Sequence, residues 1–84
     1  MKIWMVAGKF YTYHVERNVY TDPCHTKQID KIKQNEPFIY LEKGDADRKW
    51  VETCKVLTIN GVVGWIQIGY PECVKPVGEN YVEL

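Results

Sequence analysis

The stretch Lys55-Val56-Leu57-Thr58-Ile59-Asn60-Gly61-Val62-Val63-Gly64-Trp65-Ile66-Gln67-Ile68 decides the fold. Two runs rich in β-branched residues flank Asn60-Gly61, a pair with easy access to positive φ that suits a two-residue hairpin turn. The run on either side is too short for a helix and carries no spacing of three and four, so each side reads as a strand. The expected hairpin pairs residues 50–59 with residues 62–68.

The same signature recurs outward along the chain. Clusters of Val, Ile, Thr, Tyr, Phe and Trp predict further strands over residues 2–6, 10–15, 18–20, 28–33, 37–41 and 74–77. Turn chemistry separates them. Asn35, ahead of Glu36 and Pro37, supplies a residue that tolerates left-handed φ. Thr21-Asp22-Pro23 forms another turn, and the charged run over residues 43–49 reads as a solvated loop. With two alanines and three leucines in the whole chain, helix formers are scarce. The domain is expected to be all-β.

Eighty-four residues, 45% of them hydrophobic and 26% charged, describe one small globular domain. Folding can bury about 64% of the unfolded surface of such a chain, enough for a single core. Eleven Lys and Arg balance eleven Asp and Glu, so no global field draws the protein to phosphate backbones or acidic membranes. Neutrality also removes the repulsion that opposes self-association. The apolar patch at the start ends at Gly8 and Lys9, short of a secretory signal, and no run approaches the roughly 20 residues of a membrane span. Three cysteines, Cys24, Cys54 and Cys73, with no close pair, fit reduced thiols. A cytoplasmic location is expected, the host's cytoplasm if a bacteriophage encodes the chain.

The order of these strands and turns resembles the bacterial Src-homology-3 domain family, a small five-stranded β-barrel. Arg17-Asn18-Val19-Tyr20 keeps the central Asn and Val of that family's first strand, and Pro23 follows as its loop proline would. Ile29 and Ile32, then Lys33-Gln34-Asn35-Glu36, then Phe38-Ile39-Tyr40-Leu41 are similar to its apolar pair, turn and alternating strand. Trp50, Lys55-Val56, Asn60-Gly61 and Gly64-Trp65-Ile66 match its closing signature, with a wider gap between Trp50 and Lys55. The resemblance implies a Src-homology-3-like barrel of five to six short strands over residues 17–77. It leaves residues 1–16 as an N-terminal β extension and 78–84 as a tail. Glycines such as Gly64 are expected where strands of a small barrel approach closely.

Catalytic chemistry finds little support in these residues. The chain has no serine, which excludes a Ser-His-Asp arrangement. Cys24 beside His25 could supply a nucleophile and a base, but adjacent side chains on an extended segment diverge. Cys24, Cys54, Cys73, His14 and His25 lack the clustered spacing of a zinc site, and Cys54 and Cys73 read as small apolar core residues. Among the carboxylates Asp22, Asp30, Asp45, Asp47 and Glu52, Asp45 and Asp47 sit beside Arg48 and Lys49 in a solvated loop. No cofactor and no metal are expected.

Two binding surfaces remain. Eleven aromatic residues exceed what so small a core absorbs, since each buries about 150 to 250 Å². Some must face a partner or solvent. In the wider Src-homology-3 superfamily an aromatic groove holds extended peptides, and the resemblance places Tyr13, Tyr20, Trp50 and Tyr70 where they could line one. The expected function is a non-catalytic module that binds a protein or peptide segment, or self-assembles, as a bacterial or bacteriophage accessory protein. The alternative is a nucleic-acid platform in which Lys27, Lys31 and Lys33 share one strand face beside Tyr20 or Tyr40. Charge balance argues against it.

Overall fold

The structure is a computed structural model that describes residues 5–24, 26–44, 52–69 and 73–77. It holds seven strands: β1 (Phe10–Thr12), β2 (Arg17–Tyr20), β3 (Gln28–Ile32), β4 (Phe38–Lys43), β5 (Glu52–Thr58), β6 (Val63–Ile68) and β7 (Lys75–Pro76). There is no α-helix among the described residues. All seven form one antiparallel sheet in the order β3-β2-β6-β5-β4-β1-β7. Residues 1–4, the first part of the strand expected over 2–6, lie outside the described residues, and Met5 and Val6 belong to no strand.

Alternation sets the inner face. Tyr11, Val19, Ile32, Phe38, Tyr40, Cys54, Val56, Ile66 and Ile68 are buried on it, joined by Met5, Tyr13 and Val74 from the connections. The sheet curls around this core. In a flat sheet β3 and β5 would be three strand spacings, about 14 Å, apart. Instead the Thr58 hydroxyl at the end of β5 donates to Oδ2 of Asp30 in β3 at 2.8 Å. Curling stops short of closure: among the described residues β3 pairs only with β2 and β7 only with β1, so the sheet is open rather than a closed barrel. Asp30 reaches the hairpin through a side chain, which uses no ladder hydrogen bond.

The residues expected as an extension supply β1, which lies within the sheet between β4 and β7. Gly8 N donates to Tyr40 O and Tyr40 N donates to Lys9 O, and the Tyr11 hydroxyl accepts from Val6 N at 2.7 Å.

The β5–β6 hairpin corrects the expected turn. Gly61 N donates to Thr58 O, and Thr58 N donates to Val62 O, so the loop contains three residues, Ile59, Asn60 and Gly61. A two-residue type I′ turn needs positive φ at both central residues, but of Asn60 and Gly61 only Gly61 has it, at 80°. Thr58 explains the difference. Its Oγ1 accepts from both Asn60 N and Val62 N at 3.2 Å, which favours a turn closed by one left-handed glycine.

Asn35 behaves as its sequence context predicts, with φ at 60°. Glu36 N donates to Lys33 O around it, and Asn35 N donates to Tyr13 O, tying this turn to the segment after β1. A β-branched residue cannot hold that conformation without strain. Asn35→Val is therefore expected to cost about 1–2 kcal/mol in urea denaturation, whereas Asn35→Gly stays within about 0.5 kcal/mol of the parent.

Candidate functional site

Of the four aromatic positions expected to line a groove, the structure describes two, Tyr13 and Tyr20. Tyr13 is 1% exposed and belongs to the core. Its ring meets His14 edge-on at 4.6 Å between centroids and lies beneath the Arg17 guanidinium at 5.3 Å, so it has no face to offer a partner. Tyr20 is half-buried on the outer side of β2, where its hydroxyl accepts from Asn18 Nδ2 at 3.2 Å. Trp50 and Tyr70 lie outside the described residues.

Of the three lysines, Lys31 lies within β3, and Lys27 and Lys33 flank it. The β2–β3 register shifts between Val19 and Tyr20, so Gln28 rather than Ile29 stands opposite Tyr20. That irregularity interrupts the alternation between Lys31 and Lys27. Lys27, Lys31 and Lys33 are all exposed, and Lys31 Nζ is 3.3 Å from Glu16 Oε2.

Cysteine and histidine positions differ in burial. Cys54 is fully buried, Cys73 packs against the core, and Cys24 and His14 are exposed. His25, Asp45 and Asp47 lie outside the described residues. Among the described residues no group of three His, Cys, Asp or Glu could hold a metal ion. Asp22 closes its own turn, its Oδ1 accepting from Cys24 N, Thr26 N and Thr26 Oγ1. Asp30 titrates below its ordinary range. The Lys31 backbone N–H, then the Thr58 hydroxyl, hold its carboxyl below the usual carboxylate value, and the Asn60 amide adds to them. Its partners sit on β3 and the β5–β6 hairpin, which marks it as a fastening between elements.

The outer face carries a different arrangement, which depends on cross-strand register. Phe10 stands opposite Ile39, Ile39 opposite Leu57, and Leu57 opposite Val63. Partners opposite one another project to the same side. These four residues therefore form one apolar row across β1, β4, β5 and β6, about 14 Å from end to end. Phe10 and Val63, at the row's two ends, are 46% and 47% exposed. The adjacent row, two residues along on β5 and β6 and three on β4 where the ladder shifts register, reads Glu42, Lys55, Trp65, Tyr20, Gln28. Here Lys55 Nζ lies 3.8 Å from Glu42 Oε1. Trp65 folds over the end of β4 toward Gly44, where an added Cβ would come within 2.7 Å of its Cζ3 and 2.5 Å of Thr53 Oγ1. Thr53, on the outer side of β5 and likewise beside Gly44, is 4% exposed.

Sequence reasoning placed Ile39, Leu57 and Val63 in strands but assigned them no surface role. The signal was present only in part: alternation marks one face of each strand as buried, yet the other face acquires meaning when four registers are known together. No protein-family model matches this chain, and no curated protein or solved structure matches it. No helix among the described residues is long and apolar enough to cross a membrane.

Proposed function

We propose that the protein is a non-catalytic interaction module built on a Src-homology-3-like curled sheet, and that its outer face binds an extended apolar segment of a partner protein. The observation that carries this reading is the outer-face row Phe10, Ile39, Leu57, Val63, exposed at its two ends and half-buried between them. Scattered surface hydrophobics need no explanation, but contiguous ones flanked by polar residues characterise interaction sites. The row's length of about 14 Å suits four or five residues of extended chain. It is narrow for a contact between two copies, which ordinarily bury about 800 Å² per partner. Trp65 and Tyr20 in the next row supply the amphipathic aromatics common at interface centres, and the Lys55–Glu42 pair forms a polar border. Formal neutrality makes a protein segment a better occupant than nucleic acid.

Selection from a displayed random-peptide library tests this reading. Peptides with alternating apolar residues are expected to be enriched, and Val63→Asp, a change at an exposed position, is expected to weaken a selected peptide at least tenfold in calorimetry. Absence of enrichment, or equal binding by the variant, overturns it. A dimer in light scattering that Val63→Asp dissolves would make a second copy the occupant instead.

A further inference from the structure

An open sheet has two edges, and each presents backbone N–H and C=O groups on which a further strand can pair. Among the described residues these edges are β7 and β3. β7 is only the pair Lys75 and Pro76, and proline has no N–H to offer. So short a strand, bearing Lys and Pro, makes a poor template. β3 is the longer edge, with five residues, and carries Ile29 at 38% exposure. Formal neutrality gives no repulsion between copies that would protect it.

A side chain occupies this edge instead. The Lys31 N–H donates to Asp30 Oδ1 at 2.8 Å. Asp30 Oδ2 accepts from the Thr58 hydroxyl at 2.8 Å, and the Asn60 amide nitrogen stands 3.4 Å from both carboxylate oxygens. Thr58 and Asn60 belong to the β5–β6 hairpin, and the neighbour of β3 in the sheet is β2. The carboxylate therefore sits in the opening between β3 and that hairpin, beside the backbone that an added strand would use. Ile29 has no register partner on β2, and such an irregularity bends the strand as well.

We infer that the Asp30 carboxylate keeps the β3 edge closed to strand addition, and that without it β3 pairs with β3 of a second copy. An incoming strand needs the backbone donors of β3, and the carboxylate already holds one of them. Displacing it would leave an ionised group at a strand junction stripped of its hydrogen bonds, which is costly. The buried Thr58 hydroxyl would lose its acceptor at the same time. Removing the carboxylate removes its share of that barrier. The occupant is a second copy because a two-fold axis presents the same edge to itself, so no other sequence is required. This surface is independent of the outer-face reading, since β3 takes no part in the row Phe10, Ile39, Leu57, Val63.

Light scattering after size-exclusion chromatography, over a range of concentrations and on protein shown to be folded by circular dichroism, tests the inference. Asp30→Ala is expected to self-associate at least tenfold more tightly than the parent. Asn35→Val, a destabilising change that spares the carboxylate, is expected to match the parent. Lys31→Pro, added to Asp30→Ala, deletes the N–H that the carboxylate held and is expected to restore the parent's mass. Val63→Asp, added to Asp30→Ala, is expected to leave the new association intact. Asp30→Asn retains an acceptor for Thr58 but loses the charge; it is expected to associate at least threefold more tightly than the parent and carries the comparison where the alanine variant does not fold. No added association in the folded Asp30 variants, equal association by Asn35→Val, persistence after Lys31→Pro, or loss on adding Val63→Asp overturns the inference.

Discussion

Gly64→Ala is expected to destabilise the protein by about 3 kcal/mol, at the upper end of the range for overpacking a well-filled interior. Gly64 faces inward on β6, opposite Val56, at the point where β2 crosses closest. A Cβ there would collide with Val19 Cγ1 and come within 2.8 Å of the Tyr20 carbonyl oxygen and 3.2 Å of Ile29 Cδ1. Val19 is fully buried and, being β-branched, has little freedom to turn away. The Tyr20 oxygen is backbone and can retreat only if β2 moves. The strand is poorly placed to resist, because Tyr20 opposite Trp65 is the single registered pair between β2 and β6. Urea denaturation followed by tryptophan fluorescence reads the loss directly. Stability within about 0.5 kcal/mol of the parent would show that the approach of β2 to β6 is looser than described.

Asp30→Ala is expected to cost about 2–3 kcal/mol, because it deletes the carboxylate acceptor of one part-buried hydroxyl, and a hydrogen bond to a charged group contributes about 1.5–3 kcal/mol, while its bonds to Lys31 N and Asn60 Nδ2 are exposed and add little. The Thr58 hydroxyl is the critical partner, since Thr58 is 4% exposed and loses a short bond at 2.8 Å. A pH signature separates this fastening from simple packing. The native carboxyl is held below its ordinary value, so its contribution is fully present above the unfolded carboxylate range, near pH 4, and is lost as pH falls through the native value. The parent should therefore lose more stability than Asp30→Asn between pH 6 and about pH 3. Parallel loss in both proteins would remove the carboxylate from the account.

These two positions differ in how far they could be read in advance. Gly64 was legible, because a glycine between Val63 and Trp65 in a short-strand barrel pattern has few purposes besides close approach. Asn35 was legible for a similar reason, a left-handed residue required between two strands. The Asn60-Gly61 turn was located correctly but given one residue too few, since the Thr58 side chain, and not the dipeptide, chooses the loop. Tyr13 shows where local reading stops. Nothing in Tyr11-Thr12-Tyr13-His14 tells that both tyrosines enter the core, where Tyr13 is held by Arg17 over its ring and by the Asn35 N–H on its carbonyl, the latter distant in sequence. The outer apolar row was invisible for the same reason, being a property of four registers jointly.

The strand order carries a kinetic consequence. β4, β5 and β6 follow one another and pair with their neighbours, so this meander can form as soon as it is synthesised. The pairings of β2 with β6 and of β1 with β7 join opposite ends of the chain. Such contacts must meet the entropy of closing long loops before they return any stability, which places them late in folding. The β2–β3 hairpin, with Asp30 on it, then docks onto a meander already in place. The outer apolar row is therefore largely assembled before the core beneath β2 is closed.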